Sequence, residues 1–334
     1  MMDVSKREKC FITGGSGFVG RNLIPLLVKE GYEVHALIRS KTAADIVANL
    51  GAIPVSGEIT KPETLINGMR GCSTVFHLAA IVDTKINYDE MYDVNVRGTE
   101  SVIQAALNCG VEKLIDLSTV CVVLDGIIKF NIDEKYTIKS TLPGVYSRTK
   151  AIAEKRILES NSSALQCIVV RSTLVWGRGD TSVLPKIMDF VNKGQFMWIS
   201  GGNYKIPTTH VTNLSYALML TSKNGKGGEI YYITDGKPVV FREFIGQLIE
   251  SQGVNTPRFK SSPRWLALIF ARTLEAFHKL FKTKQAPSLD VEFVYTMGTA
   301  YTVNDSKART HLGYNNIIEI TEGLKQMNQS SQNP

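Results

Sequence analysis

Five cysteines in 334 residues, Cys10, Cys72, Cys109, Cys121 and Cys167, form no Cys-x-x-Cys pair. That spacing excludes a zinc ribbon and gives no sign of a disulfide framework, and a reducing, cytosolic compartment suits it. The five histidines (His35, His77, His210, His278, His311) lack metal-ligand spacing, so no metal is expected. The acids near Asp83 and Asp89 form no catalytic dyad. No apolar run reaches bilayer-spanning length, and the charged residues ahead of the first candidate strand leave no room for a signal peptide. Internal repeats are absent, and only 328–334, rich in Asn, Gln and Ser, reads as a disordered tail.

What is present is an ordinary globular composition, 43% hydrophobic and 21% charged, with a net charge of +7. That charge is local. Arg258, Lys260, Arg264, Arg272, Lys279, Lys282 and Lys284 face one acid, Glu275, within 258–284, and the rest of the chain is close to neutral. No basic stripe joins a recognisable nucleic-acid motif, so nucleic acid is not an expected partner.

Strand candidates at 9–13, 33–38, 53–54, 74–78, 113–118 and 166–171 alternate with helical stretches near 18–30, 42–50, 62–69, 89–109 and 147–160. This order predicts an α/β fold of Rossmann type, a doubly wound parallel sheet with ligands at the carboxyl ends of its strands. Residues 1–175, with contributions from about 205–235, are assigned to a dinucleotide-binding domain. Residues 176–204 and 236–327 are assigned to a smaller substrate lobe.

The first junction carries Thr13-Gly14-Gly15-Ser16-Gly17-Phe18-Val19-Gly20. Gly14 suits a tight turn, Gly17 close approach to a pyrophosphate, and Gly20 close packing of the helix that begins near Phe18 and Val19. A free helix N-terminus then faces the phosphates. At the end of the second strand an acid would bind ribose hydroxyls. Ile38 stands there instead, followed by Arg39, a fork for a 2′-phosphate, so NADP(H) is expected over NAD(H).

The second constellation is Tyr146-Ser147-Arg148-Thr149-Lys150. Four residues apart on a helix, Tyr146 and Lys150 share a face, where the ammonium is expected to lower the phenol and make it a usable acid/base. Thr119 closes the fifth strand candidate and offers a hydroxyl to the same cleft. Cys121, two residues on, reads as a packing thiol.

With these motifs in register, together with His77-Leu78-Ala79-Ala80, Asn95-Val96-Arg97-Gly98-Thr99, Ala153-Glu154, Arg171, Trp176-Gly177, His210-Val211-Thr212-Asn213 and Leu312-Gly313-Tyr314, the chain resembles the extended short-chain dehydrogenase/reductase family over nearly its whole length. The resemblance implies that Thr119 bonds the substrate oxygen and Tyr146 is the acid/base. It implies further that Lys150 holds the nicotinamide ribose, that Asn95 supports the site, and that Ala79 and Ala80 line the cofactor. Glu58, with Ile59 beside it, stands where the family usually has an aspartate beneath the adenine. Ser172 and Val145 depart from the usual pattern without removing a catalytic group.

The branch of 3β-hydroxysteroid dehydrogenases, sterol-4-carboxylate dehydrogenases and dihydroflavonol reductases looks closest, from the 201–213 stretch and the apolar, basic segment 263–284. The expected reaction interconverts a secondary alcohol and a ketone on a largely apolar small molecule. The alternatives are a nucleotide-sugar epimerase or dehydratase, and a non-catalytic nucleotide-binding protein. Ser262 and Pro263 suit a helix start, and Trp265, Leu266, Ile269, Phe270, Leu274, Phe277, Leu280 and Phe281 make a broad stripe. Two readings stay open: a lobe helix buried on two sides, or a helix that dips into a membrane surface or shapes an entry for a lipophilic substrate. A homodimer is also open.

Overall fold

The computed structural model describes residues 7–83, 86–139, 142–256, 259–281, 287 and 289–330. Five strands, β1 (Lys9–Thr13), β2 (Glu33–Ile38), β3 (Ile53–Ser56), β4 (Thr74–His77) and β5 (Lys113–Thr119), form one parallel sheet with the strands Gln166–Ser172 and Ile230–Ile233. The order is Ile230–Ile233, Gln166–Ser172, β5, β4, β1, β2, β3. Helices cover both faces, so the inner strands are buried along most of their length, which is why they read as near-continuous apolar runs.

Chain order reverses between β1 and β4, and a parallel sheet opens a crevice at that point. The carboxyl ends line up there. Thr13 pairs in register with His77, His77 with Asp116, and Thr119 with Ser172.

Helices α1 (Phe18–Lys29), α2 (Lys41–Asn49), α3 (Pro62–Met69), α4 (Tyr88–Tyr92), α5 (Gly98–Asn108) and α6 (Val145–Glu159) follow the strands. On one face Leu23, Ile24 and Leu27 of α1 pack with Leu214, Ala217 and Leu218 of the helix Val211–Asn224. On the other, Leu65 and Met69 of α3 meet Val102, Ala105 and Ala106 of α5 and Ile157 of α6. A further cluster gathers Trp176, Ile187, Trp198, Phe241, Phe244 and Leu248, residues between 176 and 250 that pack beyond the sheet.

Three features differ from the sequence reading. The single helix expected over 89–109 is α4, a π-helical turn at Asp93–Arg97 and α5. Such π-helical turns are frequent at functional sites, and Thr99 in the first turn of α5 donates its hydroxyl back to the Asn95 carbonyl at 2.7 Å. The last helix, Ile320–Ser330, continues past 327, so 328–330 of the expected tail are helical; 331–334 lie outside the described residues.

The helix Arg264–Phe281 is the third. It buries only Ala267 and Ala271, while Trp265, Leu266, Ile269, Phe270, Phe277, Leu280 and Phe281 are exposed. Burial on two sides is therefore overturned. Arg258, Lys282 and Lys284 of the basic segment lie outside the described residues.

Candidate active site

The glycine loop leaves β1 at Gly14, whose φ of +74° is open to glycine at little cost. A Cβ there would also stand 2.8 Å from the Ala79 amide nitrogen. At Gly20 a Cβ would meet the Gly14 carbonyl oxygen at 2.4 Å, so this glycine lets α1 close down on the turn. Gly17 is exposed, and a Cβ on it would meet only the Gly14 oxygen. Gly17 caps α1 without a side-chain hydrogen bond, which leaves the amides of the first turn directed outward. Phe18 is buried and Val19 half-buried. The cradle fits a dinucleotide pyrophosphate.

Arg39 is exposed at the carboxyl end of β2, immediately before Ser40, whose hydroxyl accepts from the Ala43 amide at 3.2 Å and caps α2. Glu58 is exposed and ion-paired with Lys61 at 2.6 Å, which together with the more distant Arg39 holds its carboxyl below the usual range. Ile59 lies in the core, where it would meet a Cβ on Gly98. Ala79 and Ala80 are half-buried beyond β4, and the Ala79 amide donates to the Thr13 hydroxyl at 3.2 Å.

Asn95 supports the site from two sides. Its carbonyl accepts from Ile81 N at 2.7 Å, and its amide donates to Ile81 O at 3.1 Å and to the Thr149 hydroxyl at 3.1 Å. Thr149 in turn donates to Tyr146 O at 3.0 Å. The loop beyond β4 is thereby tied to the first turn of α6. Beneath it, the neutral His77 ring joins Thr13 at 2.7 Å and Thr99 at 2.9 Å, and burial pushes its pKa down to about 3.

Thr119 ends β5 almost fully buried, and its hydroxyl accepts from Cys121 N at 3.2 Å. Tyr146 sits in the first turn of α6, with its phenol near enough to the Thr119 hydroxyl for that hydroxyl to favour the phenolate. Lys150, one turn on, is buried with its Nζ 3.4 Å from both carboxylate oxygens of Asp116. The phenol does not behave as expected from sequence. Burial raises Tyr146 well above the ordinary tyrosine value, the Cys121, Glu292 and Asp116 charges push the same way, and Thr119 opposes them. The expected lowering by Lys150 is corrected: its ammonium is committed to Asp116.

The sequence reading missed three members of this site. Asp116 was legible as an acid inside the apolar run Leu114-Ile115-Asp116-Leu117. Thr149 looked like any helix residue. Glu292, remote in sequence, packs against the start of α6 and carries no local signal. Among the described residues, no group of three or more His, Cys, Asp or Glu side chains suits a metal.

The family model for 3-beta hydroxysteroid dehydrogenase/isomerase matches residues 11–264. The chain belongs to that family. It is thus an extended short-chain dehydrogenase/reductase, a nicotinamide-dependent oxidoreductase. It is 37% identical to a 4-hydroxy-2-methyl-3-oxo-4-farnesyl-3,4-dihydroquinoline-1-oxide ketoreductase of Stigmatella aurantiaca, over 96% of each chain. A decarboxylating sterol-4-alpha-carboxylate 3-dehydrogenase of Dictyostelium discoideum is 32% identical, over 96% of this chain and 100% of that one. A dTDP-glucose 4,6-dehydratase of Streptomyces venezuelae, solved with NAD bound, superposes with a TM-score of 0.75 at 20% identity, over 97% of each chain; at that identity the likeness concerns the fold.

Proposed function

We propose that this 3-beta hydroxysteroid dehydrogenase family member interconverts a secondary alcohol and a ketone on a largely apolar substrate, with Tyr146 as the acid/base. The observation that carries the reading is the convergence of the Thr119 and Tyr146 hydroxyls at the carboxyl end of β5, one helical turn from Lys150. A bound NAD(P) supplies or accepts the hydride. Gly14, Gly17 and Gly20 hold its pyrophosphate, and Lys150 its nicotinamide ribose. In reduction Thr119 donates a hydrogen bond to the carbonyl oxygen, and Tyr146, protonated at neutral pH, delivers the proton to it. Asp116 fixes the lysine from behind.

Two finer readings accompany this one. Arg39, with no acid at Ile38, favours NADP(H) over NAD(H). The exposed apolar face of the helix Arg264–Phe281 meets an anionic membrane surface, its basic rim toward the headgroups. Ile127, Ile128 and Phe130 are exposed as well, and Arg264 at the helix start donates to the Gly126 carbonyl just before them. Among the described residues no helix is long and apolar enough to cross a membrane.

A substrate panel tests the central reading: hydroxysterols, apolar ketones with isoprenoid or alkyl chains, and nucleotide sugars, each with both nicotinamide cofactors. The two relatives named above act, by their names, on a sterol carboxylate and a farnesylated ketone. Stoichiometric change in the absorbance of the reduced nicotinamide with an apolar ketone or alcohol is expected. Conversion of a nucleotide sugar without net cofactor consumption would replace the reading by an epimerase or dehydratase.

A further inference from the structure

Glu292 belongs to the short helix Val291–Met297, far from Tyr146 in sequence, yet its carboxyl sits against the N-terminus of α6. Oε1 accepts from Ser147 N at 2.8 Å, and the neighbouring Tyr146 amide lies close enough to favour the ionised carboxyl. Oε2 is buried without a hydrogen-bond partner. It lies 1.6 Å from where a Cβ on Gly144 would be. Gly144 has φ −107°, which any residue adopts, so the backbone does not call for glycine here. The carboxyl does.

The groups around it lean one way. Asp290 precedes it, Cys121 faces it from the turn after β5, and Tyr146 from α6. Glu275 of the helix Arg264–Phe281 accepts from Val291 N at 2.8 Å, with Arg148 and Arg272 beside it. Burial, then Asp290, push the Glu292 carboxyl up to about 7, while the Ser147 and Tyr146 amides work against them. A helix N-terminus by itself would favour the carboxylate. Desolvation wins here.

We propose that Glu292 is a positioning residue for Tyr146: it holds the Ser147 amide in the first turn of α6 in place, and by gaining or losing its own proton it sets how readily the phenol releases one. This rests on the assignment of Tyr146 as proton donor. An ionised Glu292 penalises the phenolate left after proton delivery; a protonated Glu292 does not. Reduction therefore slows as pH rises through about 7, with kcat affected more than KM.

The experiment reads the tyrosine itself by ¹³C NMR of protein labelled at tyrosine Cζ, the Tyr146 resonance being the one absent in Tyr146→Phe. In the wild type it moves with a midpoint near 7 as it senses the neighbouring carboxyl. In Glu292→Gln, which keeps an acceptor for Ser147 N, the resonance stays flat across that range, and the step in the kcat profile disappears. Glu292→Asp retains a midpoint. Gly144→Ala, whose Cβ displaces the carboxyl, weakens or moves it. A midpoint that persists in Glu292→Gln, or a wild-type resonance that is already flat, overturns the proposal. Retained turnover in Tyr146→Phe would instead remove the catalytic reading while leaving the spectroscopic coupling measurable.

Discussion

At the scale of the residue, the site depends on charges taken out of water and matched in pairs. Lys150 and Asp116 are both buried, and each makes the other's charge tolerable. Lys150→Met leaves Asp116 without its cation and removes the group proposed to hold the nicotinamide ribose. Both cofactor affinity and rate should fall, the rate by about 10²-fold, in fluorescence binding and steady-state assays. Full cofactor affinity in that variant would contradict the ribose role. Arg39 is exposed, so its effect is confined to what it touches. Arg39→Ala should weaken NADPH by roughly tenfold to a hundredfold, the scale of a charge-assisted bond to phosphate, and leave NADH nearly unchanged. Equal losses would show that the guanidinium serves Glu58 instead.

His77 makes a stability prediction with a definite sign. Its folded pKa is about 3 against 6.5 in a free histidine, so the unfolded chain binds the extra proton between those values. The contribution is fully present above about 6.5 and is lost as pH falls toward 3, by about 1.4 kcal/mol per pH unit. Urea unfolding of His77→Gln should show a shallower decline over that window than wild type. An unchanged slope would mean that the ring accepts a proton in the folded state.

At the scale of the element, legibility followed periodicity. β1, β2 and α3 were placed by sequence to the residue, because strand and helix periods were backed by Gly14, Pro62 and the helix-ending Gly71. The π-helical turn at Asp93–Arg97 was not legible, since one extra residue per turn leaves the apolar pattern of a long helix almost intact. Tyr146 and Lys150 were legible from their spacing. Their electrostatics were not, because Asp116 and Glu292 arrive by folding rather than by sequence proximity.

The helix Arg264–Phe281 illustrates the other limit. Its breadth of apolar residues was plain, but only the fold decides which of them face protein, and here just two small alanines are buried. If the exposed face meets anionic lipid, each well-placed cation adds about 1 kcal/mol, screened by salt. Sedimentation with anionic liposomes should pull down wild type at low salt and less at high salt, and should recover little of a variant with Lys279, Lys282 and Lys284 changed to Gln. No binding of wild type at low salt would exclude the membrane and leave the face for a subunit contact.

At the scale of the whole molecule, the reversal of strand order between β1 and β4 collects the glycine loop, the Asn95 turn, Thr119 and the start of α6 from distant parts of the chain onto one sheet edge. The segments beyond 176 then supply Glu292 from one side and the exposed helix on the same flank, with Tyr295 and Val294 packing under Ala267 and Ala271. If a hydride moves on an apolar substrate while Tyr146 moves the proton, the absorbance of reduced nicotinamide with an active ketone should separate wild type from Tyr146→Phe. A loss of about 10²-fold or more in kcat, with cofactor binding nearly intact, is expected. Undiminished turnover in Tyr146→Phe would contradict it.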